Sequence, residues 1–485
     1  VEVFIGKAVI GVFPPNIKHH CGLFGVYGHP DAVQLTYLGL YAQQHRGQES
    51  AGICSCDRGL IGRHAGMGLV TDVFDPPTLE KLRNPIAVGH VRYSTTGSCQ
   101  QSNAQPLLVN YAQGQVAVAH NGNLINAALL RDDFEQHGAI FRTTSDTEVI
   151  VHLLARPSEL SRQDHLVHAL RHLQGAYALL FLFAGRIVAA RDPYGFRPLV
   201  LGRMDNGAIV AASETCALDI VDAEFWREVE PGEVVFIGED GVSSKWIAPA
   251  GSVKPAYCIF EQIYFADPSS DVFGENVHHV RQAMGEQLAR EAPAEVDMVT
   301  PIPNCARCAA MGYARAGGRS YGRAFTVSHY AGRSFIMPEQ SARDLAVKMK
   351  LNVIKQNVQG KRLVVVEDSV VRGTTTRGKI GALRKAGAQE IHLRVASPPI
   401  QYPCYFGIDF PDPSTLIANN RTVEEIRDFL GVESIVYLTV AGMLSCVRHP
   451  PAHYCTACFT GKYPMEVDHP LSKTVFEPDQ LKMFE

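Results

Sequence analysis

Between Cys21 and about Trp246 the apolar positions fall in short runs: CGLFGVYG, IAVGHVRY, QVAVAHNG, AYALLFLF, RIVAARD and AIVAAS. Gly, Asn and Asp-Pro turns separate them, which predicts strands. Helix-like stretches at 124–137 and 145–155 intervene, so the expectation is sheets with packed helices rather than an all-β barrel. Ala248-Pro249-Ala250-Gly251-Ser252 reads as a linker, and the pattern beyond it changes. Residues 277–291 place Val277, Val280, Met284 and Leu288 on one helical face, and VDMVTPIP reads as a strand and loop. Leu363-Val364-Val365-Val366 is a continuous apolar run, as expected of a strand buried on both faces; a helix-like 375–386 and the strand IHLRV follow. That is a βαβ unit. The last forty residues are irregular and rich in Cys, His and Pro.

A chain of 485 residues exceeds one ordinary core. The expected division is a leader or propeptide at 1–20, domains at 21–250 and 251–445, and a C-terminal segment at 446–485. Apolar residues make up 46% and charged residues 19%, with a net charge of -4, which excludes a disordered polyelectrolyte and gives no reason to expect nucleic acid as partner. No apolar run reaches membrane-spanning length, and residues 1–20 lack both a small-residue cleavage site and the Arg/Ser richness of a transit peptide. A cytoplasmic protein with small-molecule ligands and no membrane partner is the expectation. Twelve cysteines are too few for a disulfide scaffold in a chain this long, and the pairs Cys305/Cys308 and Cys455/Cys458 suggest reduced thiols kept for metal or chemistry.

The most informative segment is Val364-Val365-Val366-Glu367-Asp368-Ser369-Val370-Val371-Arg372-Gly373-Thr374-Thr375-Thr376. A buried strand ends in two carboxylates, and a Ser/Gly/Thr loop then runs into a helix. Loop amides and the helix amino terminus can hold a phosphate, hydroxyls add donors, and the carboxylates can take ribose hydroxyls or Mg²⁺. Asp followed by Gly and Thr at a strand end also occurs in doubly wound folds without this role. The full run resembles the phosphoribosyltransferase signature. The resemblance implies a parallel sheet flanked by helices, with Glu367 and Asp368 on the ribose diol and Mg²⁺ (one per subunit), and Ser369, Arg372, Gly373, Thr374 and Thr375 around the 5-phosphate.

Cys21-Gly22-Leu23-Phe24-Gly25 opens the first domain; a lone Cys in such a run is usually a small buried hydrophobe. Here Gln44-His45-Arg46-Gly47-Gln48-Glu49-Ser50-Ala51-Gly52, Gly89-His90-Val91-Arg92-Tyr93-Ser94-Thr95-Thr96-Gly97, His120-Asn121-Gly122-Asn123-Leu124 and Ser145-Asp146-Thr147-Glu148 follow in that order. Together they resemble the class II glutamine amidotransferases, which are N-terminal nucleophile (Ntn) hydrolases. Joined to the phosphoribosyl loop, the pattern resembles the glutamine phosphoribosylpyrophosphate amidotransferases from Cys21 to Glu466.

That resemblance implies a four-layer αββα Ntn-hydrolase domain, α+β in class, ahead of an α/β phosphoribosyltransferase domain. It implies Cys21 as nucleophile and Asn121 with Gly122 as oxyanion hole. Arg92, Tyr93, Thr95 and Asp146 would bind glutamine, Arg92 on its α-carboxylate and Asp146 on its α-ammonium. The chemistry asks for the same arrangement: an amine of pKa roughly 8 can take a thiol proton of pKa about 8.5 at little cost, and a terminal cysteine supplies its own amine. Residues 1–20 would then be removed, since no free α-amine exists while they remain. The implied reaction converts phosphoribosyl pyrophosphate, glutamine and water to 5-phosphoribosylamine, pyrophosphate and glutamate at the entry to purine synthesis. Purine nucleotides would be feedback inhibitors, and the assembly a homo-oligomer, dimer or tetramer.

Cys455-Thr456-Ala457-Cys458 needs two further ligands to hold a metal. The resemblance selects Cys258 and Cys404, the four holding one 4Fe-4S cluster per subunit. Zinc held by Cys305, Cys308, Cys455 and Cys458 is the sequence-level competitor. The match departs from the family at Pro303-Asn304-Cys305-Ala306, where Asn replaces an acid and Cys305 replaces a hydroxyl able to approach Mg²⁺; a neutral thiol suits a hard cation poorly. At Val327-Ser328-His329 two family cations are missing, while Arg333, Arg343, Lys348 and Lys350 remain in a segment expected to close over pyrophosphate. A non-catalytic nucleotide-binding regulator is therefore the alternative reading.

Overall fold

The computed structural model describes residues 21–57, 59–93, 97–249, 251–327, 351–410, 412–467 and 475–477. Two compact units result, divided at His278. The leader, Thr95, Ser328, His329 and the basic residues Arg333, Arg343, Lys348 and Lys350 lie outside the described residues.

The first unit is built on two antiparallel sheets. One has seven strands, with Gly22–Tyr27 between Ile86–Arg92 and Ile209–Ala212. The other has six and centres on Gly114–Leu124, Gly175–Phe183 and Arg186–Arg191. Successive side chains on a strand point to opposite faces. Thus Leu23 and Val88 meet Ala117, Ala119, Leu180 and Leu182 of the other sheet in an inner core. Phe24, Val26 and Val91 face outward onto Val33 and Leu40 of helix Ala32–Ala42. Val116, Val118, Leu179 and Phe181 face helices Ala127–Gln136, Glu148–Ala155 and Arg162–Leu170. Both faces of each sheet are covered, which is why these strands read as apolar runs rather than as alternating ones. The layers are helix, sheet, sheet, helix, the arrangement expected from sequence. Gly39 is fixed by close packing: a Cβ there would stand 2.4 Å from the ring of Phe24. Truncating an inner-core residue such as Leu180 to Ala costs about 2–5 kcal/mol.

The second unit comprises His279–Gln401 and Pro413–Cys446. Its sheet is parallel, in the order Met298–Pro301, Arg362–Glu367, Glu390–Val395, Ser434–Tyr437. Helix Thr374–Lys385 makes the crossover, burying Ile380 and Leu383 against Leu363 and Val365. Helix Val423–Leu430 starts with a capping box, Thr422 and Glu425, and stops at Gly431, whose φ of 71° is left-handed. Tyr402–Asp412, which interrupts the second unit in sequence, and the described residues from Val447 onward belong to the first unit. Strand Tyr454–Cys455 pairs in parallel with Tyr257–Cys258 there. Among the described residues no helix is long and apolar enough to cross a membrane.

Candidate functional site

Cys21, the nucleophile expected from sequence, stands where its strand meets the end of the neighbouring one. Cys21 leads into strand Gly22–Tyr27, and the pairing of Gly22 with Val91 sets it level with Arg92 at the end of the neighbouring strand. The thiol is buried and donates to the carbonyl oxygen of Tyr93 at 3.4 Å. Burial pushes it up to about 12, with Arg92 pulling down and Glu49 and Asp146 pushing up, so the resting group is a neutral thiol. Arg92 is buried and donates to the carbonyl of Ser98 at 3.3 Å, with Glu49 at 3.8 Å. Asp146, in the loop before helix Glu148–Ala155, accepts from the backbone N–H of Leu124 at 2.9 Å.

Asn121 and Gly122 come from the facing sheet. Asn121 is fully buried, and neither its amide nitrogen nor its amide oxygen has a hydrogen-bond partner among the described residues. An unpaired buried amide costs about 1–3 kcal/mol, so the group calls for a partner. A Cβ at Gly122 would lie 1.9 Å from the carbonyl oxygen of Ala176, so only glycine fits. His90 joins the sheets, its Nε2 lying 3.0 Å from the carbonyl oxygen of His120; burial pushes it down to about 3 and keeps it neutral.

Sequence reading missed the charged layer beneath this site. Arg46 reaches the Cys21 carbonyl with its Nε at 3.0 Å, Glu261 with Nη2 at 2.9 Å, and Glu214 with Nη1. Arg197 shares Glu261 at 3.2 Å and donates to the carbonyl of Phe406. All four side chains are fully buried. Burial opposes charge on Glu214, but His45 and Arg46 prevail and hold its carboxyl far below the usual range. The usable signals were Arg46 inside QHRGQ and an acid, Glu261, within the apolar CIFEQIYF. Glu261 opens a single π-helical turn, Glu261–Phe265, a distortion often found at functional sites.

In the second unit the carboxylates stand at the carboxyl end of strand Arg362–Glu367. Lys379 pairs with Glu367 at 3.3 Å, leaving the other carboxylate oxygen of Glu367 buried and unpartnered among the described residues; the hydroxyl of Thr375 is likewise unpartnered. Asp368 accepts from Ser369 at 2.7 Å. Burial first, and the charge of Glu367 second, push its carboxyl up to about 6. Gly373 takes φ 73° before helix Thr374–Lys385, and a Cβ would meet Ile417 at 2.7 Å. The turn aims the helix amino terminus at the loop, with Arg372 and Thr374 exposed beside it. Ile302 donates to the carbonyl of Val366 at 2.8 Å, which brings Asn304 and Cys305 alongside. Burial, then Asp368, pushes the Cys305 thiol up to about 12.

Cys258, Cys404, Cys455 and Cys458 line one small apolar cavity of the first unit, about 20 Å³, walled by Phe196, Phe260, Phe406 and Ile408. Among the described residues no three His, Cys, Asp or Glu side chains are set to hold a single metal ion. Cys305 and Cys308 belong to the second unit.

Residues 90–219 match the family model described as a glutamine amidotransferase domain. The chain is 46% identical over 450 residues, 93% of its length and 80% of the relative's, to a protein named amidophosphoribosyltransferase 2, chloroplastic, from Arabidopsis thaliana. The chain belongs to the amidophosphoribosyltransferase family. Among solved structures it is similar to a glutamine phosphoribosylpyrophosphate amidotransferase from B. subtilis in complex with ADP and GMP, at TM-score 0.87 and 44% identity, covering 92% of this chain and 98% of that one. It is also similar to a structure described as the allosteric regulatory enzyme of purine biosynthesis, at TM-score 0.90 and 43% identity, covering 95% and 100%. Likeness at that level over nearly the whole length supports an amidophosphoribosyltransferase activity rather than the non-catalytic alternative.

Proposed function

We propose that this enzyme frees ammonia from glutamine at Cys21 and uses it to displace pyrophosphate from phosphoribosyl pyrophosphate, giving 5-phosphoribosylamine, pyrophosphate and glutamate. The observation that carries the first half is the buried amide of Asn121, unpartnered among the described residues and next to the His120 carbonyl that meets His90 on the strand paired with Gly22–Tyr27. The thiol attacks the amide carbon of glutamine, and the α-amine of Cys21, exposed once residues 1–20 are gone, accepts its proton. Burial disfavours the thiolate, so the thiol needs a proton acceptor beside it. Asn121 and the backbone N–H of Gly122 stabilise the tetrahedral oxyanion, a contribution worth about 2.7–4 kcal/mol per donor. Collapse returns the proton to the departing nitrogen as ammonia, and water then cleaves the thioester to glutamate. Arg92 and Asp146 select a substrate carrying both an α-carboxylate and an α-ammonium.

In the second unit Glu367 and Asp368 hold the ribose hydroxyls, and Ser369 to Thr375 hold the 5-phosphate on loop and helix amides. Ammonia attacks C1 of the ribose as pyrophosphate leaves. The unpartnered carboxylate oxygen of Glu367, with Asp368, would hold a Mg²⁺ ion, which keeps few protein ligands and would screen the pyrophosphate charge. The neutral Cys305 thiol does not fit that set.

The cysteine cavity fits a 4Fe-4S cluster. Zinc at about 2.3 Å needs four ligands already close to one point, and among the described residues no three His, Cys, Asp or Glu side chains are so placed, while all-thiolate lining suits a cluster. Bound there, a cluster supplies iron–thiolate bonds that fasten three separate stretches of chain. The ADP and GMP in the B. subtilis relative support purine-nucleotide inhibition of this chain too, and a homo-oligomeric assembly is part of the same proposal. Incubation with glutamine, phosphoribosyl pyrophosphate and Mg²⁺ should yield pyrophosphate and glutamate in equal amounts; no pyrophosphate would refute the reading.

A further inference from the structure

A three-residue piece of the carboxyl-terminal region, Val475–Glu477, reaches the first unit at Ser98 and Arg131. The Glu477 carboxylate accepts from the backbone N–H of Ser98 at 2.7 Å and also takes the Thr144 side chain. The carbonyl of that same Ser98 accepts from Arg92 at 3.3 Å. Phe476 lies on Arg131, 4.9 Å from guanidinium carbon to ring centroid, with Phe141 on it at 4.3 Å. Arg131 in turn donates to the carbonyl of Thr143 at 3.0 Å. Two adjacent residues therefore hold two loops: the one whose Ser98 positions Arg92, and the one from Thr143 to Asp146.

These loops are also close to each other. A Cβ on Gly97 would stand 2.4 Å from the carbonyl oxygen of Thr144. Asn103 bridges them from inside, donating to Ser98 at 2.9 Å and to Thr144 at 2.8 Å. Glu477 closes the same gap from the opposite end of the sequence. A carboxylate bonded to a backbone N–H is a strong acceptor, and the aromatic contact adds a cation–π attraction.

From this geometry we propose that Phe476 and Glu477 form a latch that positions Arg92 and Asp146 for glutamine. The inference rests on the assignment of these two residues to glutamine binding. Glu477 is a positioning residue: it acts on substrate through Ser98 and Arg92. Its loss leaves the Ser98 N–H unpaired and lets the carbonyl that orients Arg92 shift, which weakens glutamine binding without touching the thiol.

The test uses full-length enzyme. Glu477→Ala should raise KM for glutamine roughly tenfold, the size expected for losing one hydrogen bond to a charged group, with kcat little changed. Glu477→Gln keeps an oxygen facing Ser98 and should restore most of that loss. Phe476→Ala should act in the same direction. Turnover with ammonia in place of glutamine should be the same in all variants, and exchange of the Ser98 amide hydrogen should accelerate in Glu477→Ala. An unchanged or lowered glutamine KM in Glu477→Ala overturns the latch, as does a rise accompanied by equal loss of ammonia-dependent turnover. Wild-type enzyme that releases no glutamate from glutamine would sink the amidotransferase reading itself.

Discussion

The guanidinium of Arg46 holds the backbone carbonyl of Cys21 at 3.0 Å while being held by Glu214 and Glu261, so the position of Cys21 depends on a buried charged cluster. Breaking a buried pair by removing one partner costs about 3–5 kcal/mol, because the other charge stays in the interior. Arg46→Leu should lower stability by that amount in chemical denaturation. Glutamine hydrolysis should fall further than the folded fraction accounts for, since the Cys21 carbonyl is then unanchored. Full activity in the folded fraction would remove Arg46 from any positioning role.

Asn121→Ala removes one of the two proposed oxyanion donors and should reduce kcat for glutamine by about 10² to 10³. KM should move little, because the lost interaction belongs to the transition state. Circular dichroism should show an intact fold, as the amide has no partner to lose among the described residues.

Cys21→Ser should abolish glutamine-dependent product formation and leave ammonia-dependent formation in place. Separate assays with the two nitrogen sources report it. Loss of both would contradict the division of labour between the two units.

Use of phosphoribosyl pyrophosphate should depend on pH through Asp368. Its carboxyl is pushed up to about 6, so above that pH it is ionised and can hold ribose hydroxyls or Mg²⁺; below it the group protonates. KM for phosphoribosyl pyrophosphate should climb as pH falls through about 6, up to tenfold per pH unit. Glutaminase KM, measured alone, should show no break there.

Burial pushes the cavity thiols up, Cys258 to about 11, so binding of the proposed cluster would displace protons and should weaken in acid. Cys455→Ser should lower iron and sulfide content in anaerobically purified protein. It should also lower the melting temperature, because Tyr454–Cys455 would lose its tie to Tyr257–Cys258 beyond their short strand pairing. Stoichiometric iron in that variant would exclude Cys455 as a ligand.

Local chemistry was readable from the chain alone: the strand-loop-helix at Glu367 to Thr376, the ordered Cys21, Arg92, Asn121 and Asp146 segments, and the apolar runs that become sheets covered on both faces. Each such signal is a short-range pattern, set by backbone preferences and by which faces must be buried. Folding alone decided that Glu261 would sit beneath Cys21, that Glu477 would reach Ser98, and that Tyr402–Asp412 would leave its sequence neighbours for the first unit. A charge or hydrogen bond between residues hundreds of positions apart has no local signature, because its strength depends on burial and separation, which only packing supplies.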